Sequence, residues 1–335
     1  MKVFHHPAQA AHAPERELHN GDWVPFAETP DRYRQIAEAC GASEEASDHG
    51  KDAIHAVHDP RYVAFLETAH RDWVAAGREG DAIGYAFPVS RRRPLDLDRI
   101  DARLGAYAMD ASSPIAAGTW ESVYWSAQTA LSALDALAAG ERSAFALCRP
   151  PGHHAGADYL GGYCFLNNAA IAAREAGRLG LGPVAVLDVD YHHGNGTQDI
   201  FYEDAVVFFA SIHADPKTDY PFFWGHADET GEGAGAGSTL NLPLPRGTDW
   251  AAYEPVLGNA LDAITRWGAK LLVVSFGADT FVNDPISSFR LEQGDYRRMA
   301  RCIAAAGLPT LVVMEGGYAV DDLGGNVAAF LSGFD

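Results

Sequence analysis

The chain has 335 residues, of which 47% are hydrophobic, and this is enough apolar material for us to expect one domain spanning residues 1–335. Its formal net charge of −20 argues against nucleic-acid binding, since phosphate contacts require clustered Lys and Arg, and the one basic run, Arg91 to Arg93, is short. No apolar run is long enough to span a membrane and the N-terminal segment lacks the apolar core of a signal peptide, so we expect a cytoplasmic protein.

From about residue 120 onward, strongly apolar runs alternate with helical patterns. These runs are continuous in Val, Leu and Ile, which is typical of parallel strands buried on both faces. We therefore predict an α/β fold with an open, mostly parallel sheet and helices on both faces. The predicted elements are, in chain order, helix Trp120–Ala139, strand Ala144–Cys148, helix Asn167–Leu179, strand Val184–Asp190, strand Val206–His213, helix Trp250–Trp267, strand Leu271–Phe276, helix Gly294–Ala306, strand Thr310–Met314 and helix Asp322–Leu331.

Four polar segments follow apolar runs that have the character of strands. They are RPPGHH (Arg149 to His154), DVDYHHGN (Asp188 to Asn195), GAD (Gly277 to Asp279) and EGGY (Glu315 to Tyr318). In an open α/β sheet the ligand site lies beyond the carboxyl ends of the strands. The shared position of these segments therefore predicts that they form one site, which is stronger evidence than any single motif.

The segment DVDYHH has the spacing of a metal site. Residues two apart in an extended chain point the same way, which places Asp188, Asp190 and His192 on one face. Asp279 can complete an Asp, His, Asp set that leaves a position for water and substrate, as catalytic zinc requires, although iron, cobalt or manganese also suit such ligands. Asp188 then fixes an imidazole or holds a monovalent cation. In the alternative interpretation, the aspartates cap a loop and His192 is an ordinary polar residue.

Two histidines and a tyrosine supply candidate groups for proton transfer. His153 and His154 follow PPG, whose turn chemistry can present them rigidly beside a metal-bound water as general acid or base. Tyr318 follows two glycines that permit sharp turns, so its hydroxyl can donate to a carbonyl that becomes an oxyanion. Each signal is weak alone, but together with the metal set they predict a metal-dependent amidohydrolase.

These segments resemble the histone deacetylase and acetylpolyamine amidohydrolase superfamily, whose fold is similar to that of arginase. The matching motifs are RPPGHHAG, GGYCFLNNAAIAA, DVDYHHGNGTQ, SFGADTFVNDPIS and EGGY, and the match covers about residues 120–330. The passages GTWESVYWSA and SIHADPKTDYPFFWGHADETGEGAGAG are more similar to bacterial acetylpolyamine amidohydrolases than to eukaryotic histone deacetylases. The resemblance implies an arginase/deacetylase-like sheet and a hydrolytic reaction on linear amides.

The resemblance also implies roles for individual residues. His153 and His154 would lie near the attacking water, with His154 as principal general base and acid, and Tyr318 would polarise the scissile carbonyl. Asp188 would support His153, while Asn195 occupies the position where some deacetylases carry an aspartate beside the second histidine. The implied zinc ligands are Asp190, His192 and Asp279.

A structural potassium ion, tunnel walls and a dimer are further implications of the resemblance. The tunnel walls would come from Gly162 and Tyr163, and an acidic residue near the rim would bind a distal ammonium group. Asp110 is our first candidate for that residue, ahead of Asp101 and Glu121, with a solvent-exposed aspartate as the alternative at each position. The loop over residues 77–98 resembles a dimerisation insertion, so we expect a homodimer. The implied potassium ligands, mostly main-chain oxygens, are Asp188, Asp190, His192, Ser211 and Ile212.

The function these features predict is zinc-dependent hydrolysis of acetylated polyamines, such as acetylputrescine, acetylcadaverine or acetylspermidine, to acetate and free amine. The expected partner is thus a small cationic acetylated amine. A deacetylase acting on acetyl-lysine, in proteins or small molecules, would share every catalytic residue and is the main alternative. A two-manganese ureohydrolase is disfavoured because no further carboxylates closely follow His192 or Asp279 where a second metal would need them. A non-catalytic module of this fold would be expected to have lost one of these groups, and all are present.

Overall fold

The computed structural model describes residues 1–88 and 95–335, so the basic run Arg91 to Arg93 lies outside the described residues. The strands there are β1 (Lys2–His5), β2 (Arg16–His19), β3 (Asp22–Pro25), β4 (Glu44–Glu45), β5 (Ser143–Ala146), β6 (Val184–Asp188), β7 (Val207–Ala214), β8 (Thr239–Leu244), β9 (Leu271–Phe276) and β10 (Thr310–Met314). The α-helices are α1 (Pro30–Cys40), α2 (Asp52–His55), α3 (Pro60–Ala75), α4 (Ile100–Ala106), α5 (Thr119–Ala138), α6 (Asn168–Arg178), α7 (Asn195–Phe201), α8 (Trp250–Trp267), α9 (Gln293–Ala305) and α10 (Val320–Leu331).

Eight strands form one sheet in the order β4, β1, β5, β10, β9, β6, β7, β8. Every pairing in this sheet is parallel, and β6 occupies an interior position with Val184 opposite both Leu271 of β9 and Val207 of β7. The short strands β2 and β3 form a separate antiparallel hairpin. The predicted open parallel sheet is confirmed.

Side chains from alternate strand positions enter two hydrophobic cores, one on each face of the sheet. In β5, Ala144 and Ala146 belong to the core with α3, α5 and α6, whereas Phe145 belongs to the core with α1, α8, α9 and α10. Val186 and Leu187 of β6 divide between the two cores in the same way. Because side chains on both faces of the sheet are buried, the sequence of each central strand is an unbroken apolar run.

The helix ends follow local capping chemistry. The Asp249 side chain accepts a hydrogen bond from the backbone N–H of Ala252 at the start of α8, and Gly268 ends that helix with a left-handed φ of 91°. Asn167 caps α6 in the same manner through the N–H of Ala170. No helix in the described parts of the chain is both long and apolar enough to cross a membrane.

All ten predicted elements are present, and their ends lie within two residues of the predicted positions. The sequence interpretation missed the edge strand β8, which contains Pro243 and is only partly buried. It also missed the elements before residue 118, including β1, which enters the main sheet beside β5. These strands are short, so their place in the sheet depends on contacts distant in sequence rather than on local periodicity.

A buried ionic cluster joins the N-terminal region to the loops after β5 and β10. The Glu28 carboxylate lies 2.5 Å from Nη1 of Arg32 and 2.9 Å from Nε of Arg149. Arg32 also donates to the backbone carbonyls of Glu315 at 2.6 Å and Gly317 at 2.7 Å. All three charged side chains are almost fully buried, so their charges depend on one another for compensation.

We expect Glu28→Ala to lower the free energy of unfolding by about 3–5 kcal/mol, because it leaves two buried guanidinium groups without their carboxylate. The control is Arg34→Ala, which removes an exposed ion pair with Asp31 and should cost less than about 1 kcal/mol. Urea denaturation followed by circular dichroism would measure both variants. Similar midpoints for the two would contradict a structural role for the cluster.

Candidate active site

The four polar segments identified in the sequence follow four strands that are consecutive in the sheet. RPPGHH follows β5, EGGY follows β10, GAD follows β9 and DVDYHHGN begins at the end of β6, and the sheet order is β5, β10, β9, β6. Because these strands are parallel, their carboxyl ends meet at one edge. The predicted convergence of the segments is therefore produced directly by the sheet topology.

Asp190, His192 and Asp279 form a group suited to binding a metal ion. Ligand atoms from the three side chains lie within 4.8 Å of one another. His192 Nδ1 is 3.1 Å from Asp279 Oδ2 and 3.4 Å from Asp190 Oδ1. Two carboxylates and one imidazole, with both aspartates fully buried, provide the three protein ligands of a catalytic zinc site and leave a coordination position open. These side chains fit a divalent ion of the zinc type.

Electrostatics at this group also favours a cation. Burial and the neighbouring Asp190 raise the pKa of Asp279 to about 7. Burial opposes protonation of His192, but Asp190 and Asp279 outweigh it and raise the His192 pKa to about 10. Protons thus help to balance the charge of this cluster, and a divalent cation can replace them when it binds.

Glycines make space for the buried carboxylates. A Cβ atom on Gly277 would overlap the Asp190 carboxylate, one on Gly316 would approach Asp279, and one on Gly194 would overlap Asp188. The sequence interpretation attributed both glycines of EGGY to sharp turns. Only the second of them, at position 317, has a positive φ, of 122°, whereas Gly316 is required by lack of space and donates its N–H to Asp190 at 2.8 Å.

The tandem histidines lie side by side, with ring centroids 4.0 Å apart, but they have different partners. His153 Nδ1 is 3.0 Å from the Asp188 carboxylate, and His154 Nδ1 is 2.7 Å from Asn195 Oδ1. The amide nitrogen of Asn195 donates to the hydroxyl of Tyr159 at 3.3 Å. This hydrogen bond orients the amide oxygen of Asn195 toward His154. An amide oxygen only accepts, so Nδ1 of His154 carries a hydrogen and Nε2 is the free acceptor in the neutral ring.

These partners give the two imidazoles different protonation states. Burial opposes protonation of His153, but Asp190 and Asp188 raise its pKa to about 10. Burial, together with the charges of His153 and His192, lowers the pKa of His154 well below its usual value. These opposite shifts favour the protonated form of His153 and the neutral ring of His154, which can accept a proton.

Tyr318 is buried beside the metal group and is held from three directions. Its ring lies 5.5 Å from that of Tyr163 and 5.0 Å from the Arg32 guanidinium carbon, and its backbone N–H donates to Asp284 at 2.6 Å. Burial raises the pKa of Tyr318 well above its usual value, so the hydroxyl remains a donor. The sequence patterns did not identify Arg32, because a lone arginine in a polar helix gives no signal of burial.

A Cβ atom on Gly162 would meet the ring of His154, and the Tyr163 ring packs against that of Tyr318. Tyr220, which the sequence interpretation did not identify, lies near His154. The Tyr220 ring is 5.1 Å from that of His154. Asp110 accepts hydrogen bonds from the N–H of Gly162 at 3.0 Å and from the Tyr220 hydroxyl at 2.6 Å, so its carboxylate lies between these two residues. Asp101, a weaker candidate for the rim, is instead paired with two arginines, Arg78 and Arg99.

Comparison with known proteins agrees with this geometry. Residues 26–334 match the model of the histone deacetylase domain. The chain belongs to the histone deacetylase family. Acetylpolyamine amidohydrolase 2 of Pseudomonas aeruginosa is 50% identical over 329 residues, which cover 97% of this chain and 96% of that protein. The acetylpolyamine amidohydrolase of Mycoplana ramosa is 49% identical over 322 residues, covering 95% and 94% of the two chains.

A solved structure supports the same assignment. The crystal structure of an acetylpolyamine aminohydrolase from Burkholderia pseudomallei is similar to this chain with a TM-score of 0.95 and 41% sequence identity, covering 100% of this chain and 98% of that one. The predicted deacetylase-like fold is thus confirmed. As a member of the histone deacetylase family, the chain is a hydrolytic deacetylase.

We expect added Zn²⁺ to raise the melting temperature of chelator-treated protein, because a ligand that binds only the folded state stabilises it. Asp279→Asn should greatly reduce this shift, since it removes a ligand charge from the metal group. Asp215→Asn is the control, because Asp215 follows β7 of the same sheet, but its side chain accepts a hydrogen bond from the backbone N–H of Lys217 instead. An undiminished shift in Asp279→Asn, measured by differential scanning fluorimetry, would exclude Asp279 as a ligand.

Proposed function

We propose that this protein hydrolyses the acetyl amide of acetylated polyamines, such as acetylputrescine, acetylcadaverine and acetylspermidine, to acetate and the free amine. The main support is the arrangement of Asp190, His192 and Asp279 at the same sheet edge as the tandem histidines His153 and His154, whose ring centroids are 4.0 Å apart. The substrate class is supported by relatives named acetylpolyamine amidohydrolase that are 49–50% identical over nearly the whole chain. We propose that residues 1–335 act as a single catalytic domain.

Asp190, His192 and Asp279 would hold zinc, with iron, cobalt or manganese as possible substitutes. When bound, such an ion supplies Lewis acidity that activates water and polarises the amide carbonyl. We further propose a structural potassium ion. As expected from the sequence, its ligands would be Asp188, Asp190, His192, Ser211 and Ile212. Its support is the pairing of Asp188 with Ser211 in adjacent parallel strands and the complete burial of Asp188 and Ile212.

The protein groups would divide the proton transfers between them. Nε2 of neutral His154 accepts a proton from the attacking water and later returns it to the leaving amine. The Tyr318 hydroxyl donates to the carbonyl oxygen as negative charge develops there. His153, held by Asp188, adds positive charge to the site and keeps the pair of imidazoles oriented. The Asn195 amide bonds Nδ1 of His154 and carries no charge. His154 can therefore gain and lose a proton at Nε2 without a partner carboxylate that would stabilise its protonated form.

The substrate would reach this group through a tunnel bounded by Gly162, Tyr163 and Asp110. The net charge of −20 favours approach of a cationic amine. We propose that the protein is cytoplasmic and acts as a homodimer in which the loop over residues 77–98 forms contacts. Apolar side chains exposed in its described part support this assembly, namely Tyr85, Phe87 and Leu95.

We expect the zinc-loaded protein to release acetate from acetylputrescine, acetylcadaverine and N8-acetylspermidine faster than from an acetyl-lysine peptide. The reason is that the tunnel and the acidic surface suit slender cations. Acetate release would be measured with and without a chelator. Preference for the peptide would transfer the assignment to lysine deacetylation, and release that is insensitive to the chelator would contradict the metal mechanism.

We expect Tyr318→Phe to lower kcat by about 10²–10³-fold, because one hydrogen-bond donor to the developing oxyanion is lost. Zinc content, measured by mass spectrometry, should be unchanged. Tyr191→Phe provides the control, since this tyrosine lies within the metal-binding segment but its hydroxyl bonds Asp219 at 2.6 Å. Equal turnover in the two variants would argue against the proposed role of the Tyr318 hydroxyl.

A further inference from the structure

A chain of three hydrogen bonds leads from the second of the tandem histidines to a carboxylate on α7. Nδ1 of His154 is 2.7 Å from Oδ1 of Asn195, and the amide nitrogen of Asn195 donates to the Tyr159 hydroxyl at 3.3 Å. That hydroxyl in turn donates to Oδ2 of Asp199 at 2.7 Å. His154 and Asn195 are buried, whereas Tyr159 and Asp199 are partly exposed. The candidate base is therefore linked to a side chain near the protein surface.

The local backbone holds the Tyr159 hydroxyl against one face of α7. Asn195 begins this helix and Asp199 lies four residues later, so their side chains are neighbours one turn apart. The phenol bridges them from a closed turn in which the N–H of Gly156 donates to the Tyr159 carbonyl at 3.0 Å. A Cβ atom on Gly156 would lie 2.2 Å from Cε1 of the Tyr159 ring, so the ring packs directly on this glycine.

The carboxylate at the end of the chain determines the direction of every hydrogen bond in it. An ionised carboxylate only accepts, so Asp199 takes the single hydrogen of the Tyr159 hydroxyl. The phenol oxygen then presents a lone pair to Asn195, which favours the NH₂ group of that amide on this side. The amide oxygen is left for His154, so Nδ1 of the neutral ring carries the hydrogen and Nε2 is free to accept.

The reverse orientation of the Asn195 amide would disable His154 as a base. Its NH₂ group would face Nδ1 of His154 and place the hydrogen of the neutral ring on Nε2, which could then not accept a proton from water. Two other acceptors face the amide nitrogen, the backbone carbonyl of His154 at 3.4 Å and the weakly accepting sulfur of Met109 at 3.3 Å. They favour the observed orientation as well, so loss of the Tyr159 hydroxyl would weaken the preference without abolishing it.

We propose that Tyr159 and Asp199 are positioning residues, which keep the Asn195 amide in one orientation and thereby hold His154 in the tautomer whose Nε2 is free. This inference rests on the proposed function, in which His154 is the base. The identity of residue 195 is the reason such support is needed. Both oxygens of an aspartate would accept from Nδ1, whereas an asparagine has one accepting and one donating end.

The kinetic test compares Tyr159→Phe in two backgrounds. This change retains the ring and removes only the bridging hydroxyl, so we expect kcat for acetylputrescine to fall about three- to tenfold. In the Asn195→Asp background the same change should alter kcat by less than about twofold, since a carboxylate accepts from Nδ1 in either orientation. Asp199→Asn should lower kcat in the wild-type background, because an amide can donate to the phenol and release its hydrogen toward Asn195.

Tyr202→Phe is the control, because Tyr202 directly follows α7 and is also partly exposed but takes no part in this chain of hydrogen bonds. Its kcat should stay within about twofold of wild type. An equal loss from Tyr159→Phe in the two backgrounds would show that Tyr159 acts only through packing and would overturn the inference. Unchanged kcat for Tyr159→Phe in the wild-type background would overturn it as well.

The tautomer of His154 can also be observed directly in zinc-loaded protein labelled with ¹⁵N-histidine. Long-range ¹H–¹⁵N correlation distinguishes a protonated from an unprotonated ring nitrogen, and the His154 signals are those absent from His154→Ala. We expect the hydrogen on Nδ1 in wild type and a substantial population with the hydrogen on Nε2 in Tyr159→Phe. The same tautomer in both proteins would contradict the proposal. This measurement needs no substrate, so it is independent of failure of the proposed function, which would appear as a wild-type preference for an acetyl-lysine peptide.

Discussion

The concentration of buried negative charge at one edge of the sheet is the constraint on which the rest of the site depends. Asp188, Asp190, Asp279 and Glu315 are all fully buried within or beyond the ends of three adjacent strands. Such charges are tolerated only where donors and cations surround them. Backbone N–H groups supply the donors, as when Gly152 and its neighbour His153 both donate to Glu315. The remaining negative charge favours a bound metal cation and raises the pKa of His153.

The same charge distribution turns two adjacent histidines into different chemical groups. Asp188 and Asp190 stabilise the proton on His153, while the amide of Asn195 contributes no charge to His154. The cation on His153 then disfavours a second proton on its neighbour. The pKa values of the two histidines are therefore shifted in opposite directions, a difference that sequence adjacency alone does not dictate.

The parts of the fold that could be predicted from sequence are those in which local patterns are imposed by burial. Strands β6, β9 and β10 are covered on both faces, so continuous apolar runs reveal them, and parallel strands necessarily bring their carboxyl ends to one edge. The strand order is not encoded locally, because it depends on crossovers between distant segments. Glu17, Glu28 and Arg32 could not be recognised either. A charged residue in a polar segment normally faces solvent, and only the tertiary structure shows that these three are buried.

The region before residue 118 lacks recognisable motifs, yet it controls the geometry of the catalytic groups. Arg32 binds the carbonyls on either side of Gly316 and packs against Tyr318, and Glu17 bonds the hydroxyl of Tyr163. The strand ends supply the buried carboxylates, so any change to these residues alters the charge available to a metal ion. The position of Tyr318 therefore depends on buried residues of the N-terminal region as well as on the strand ends.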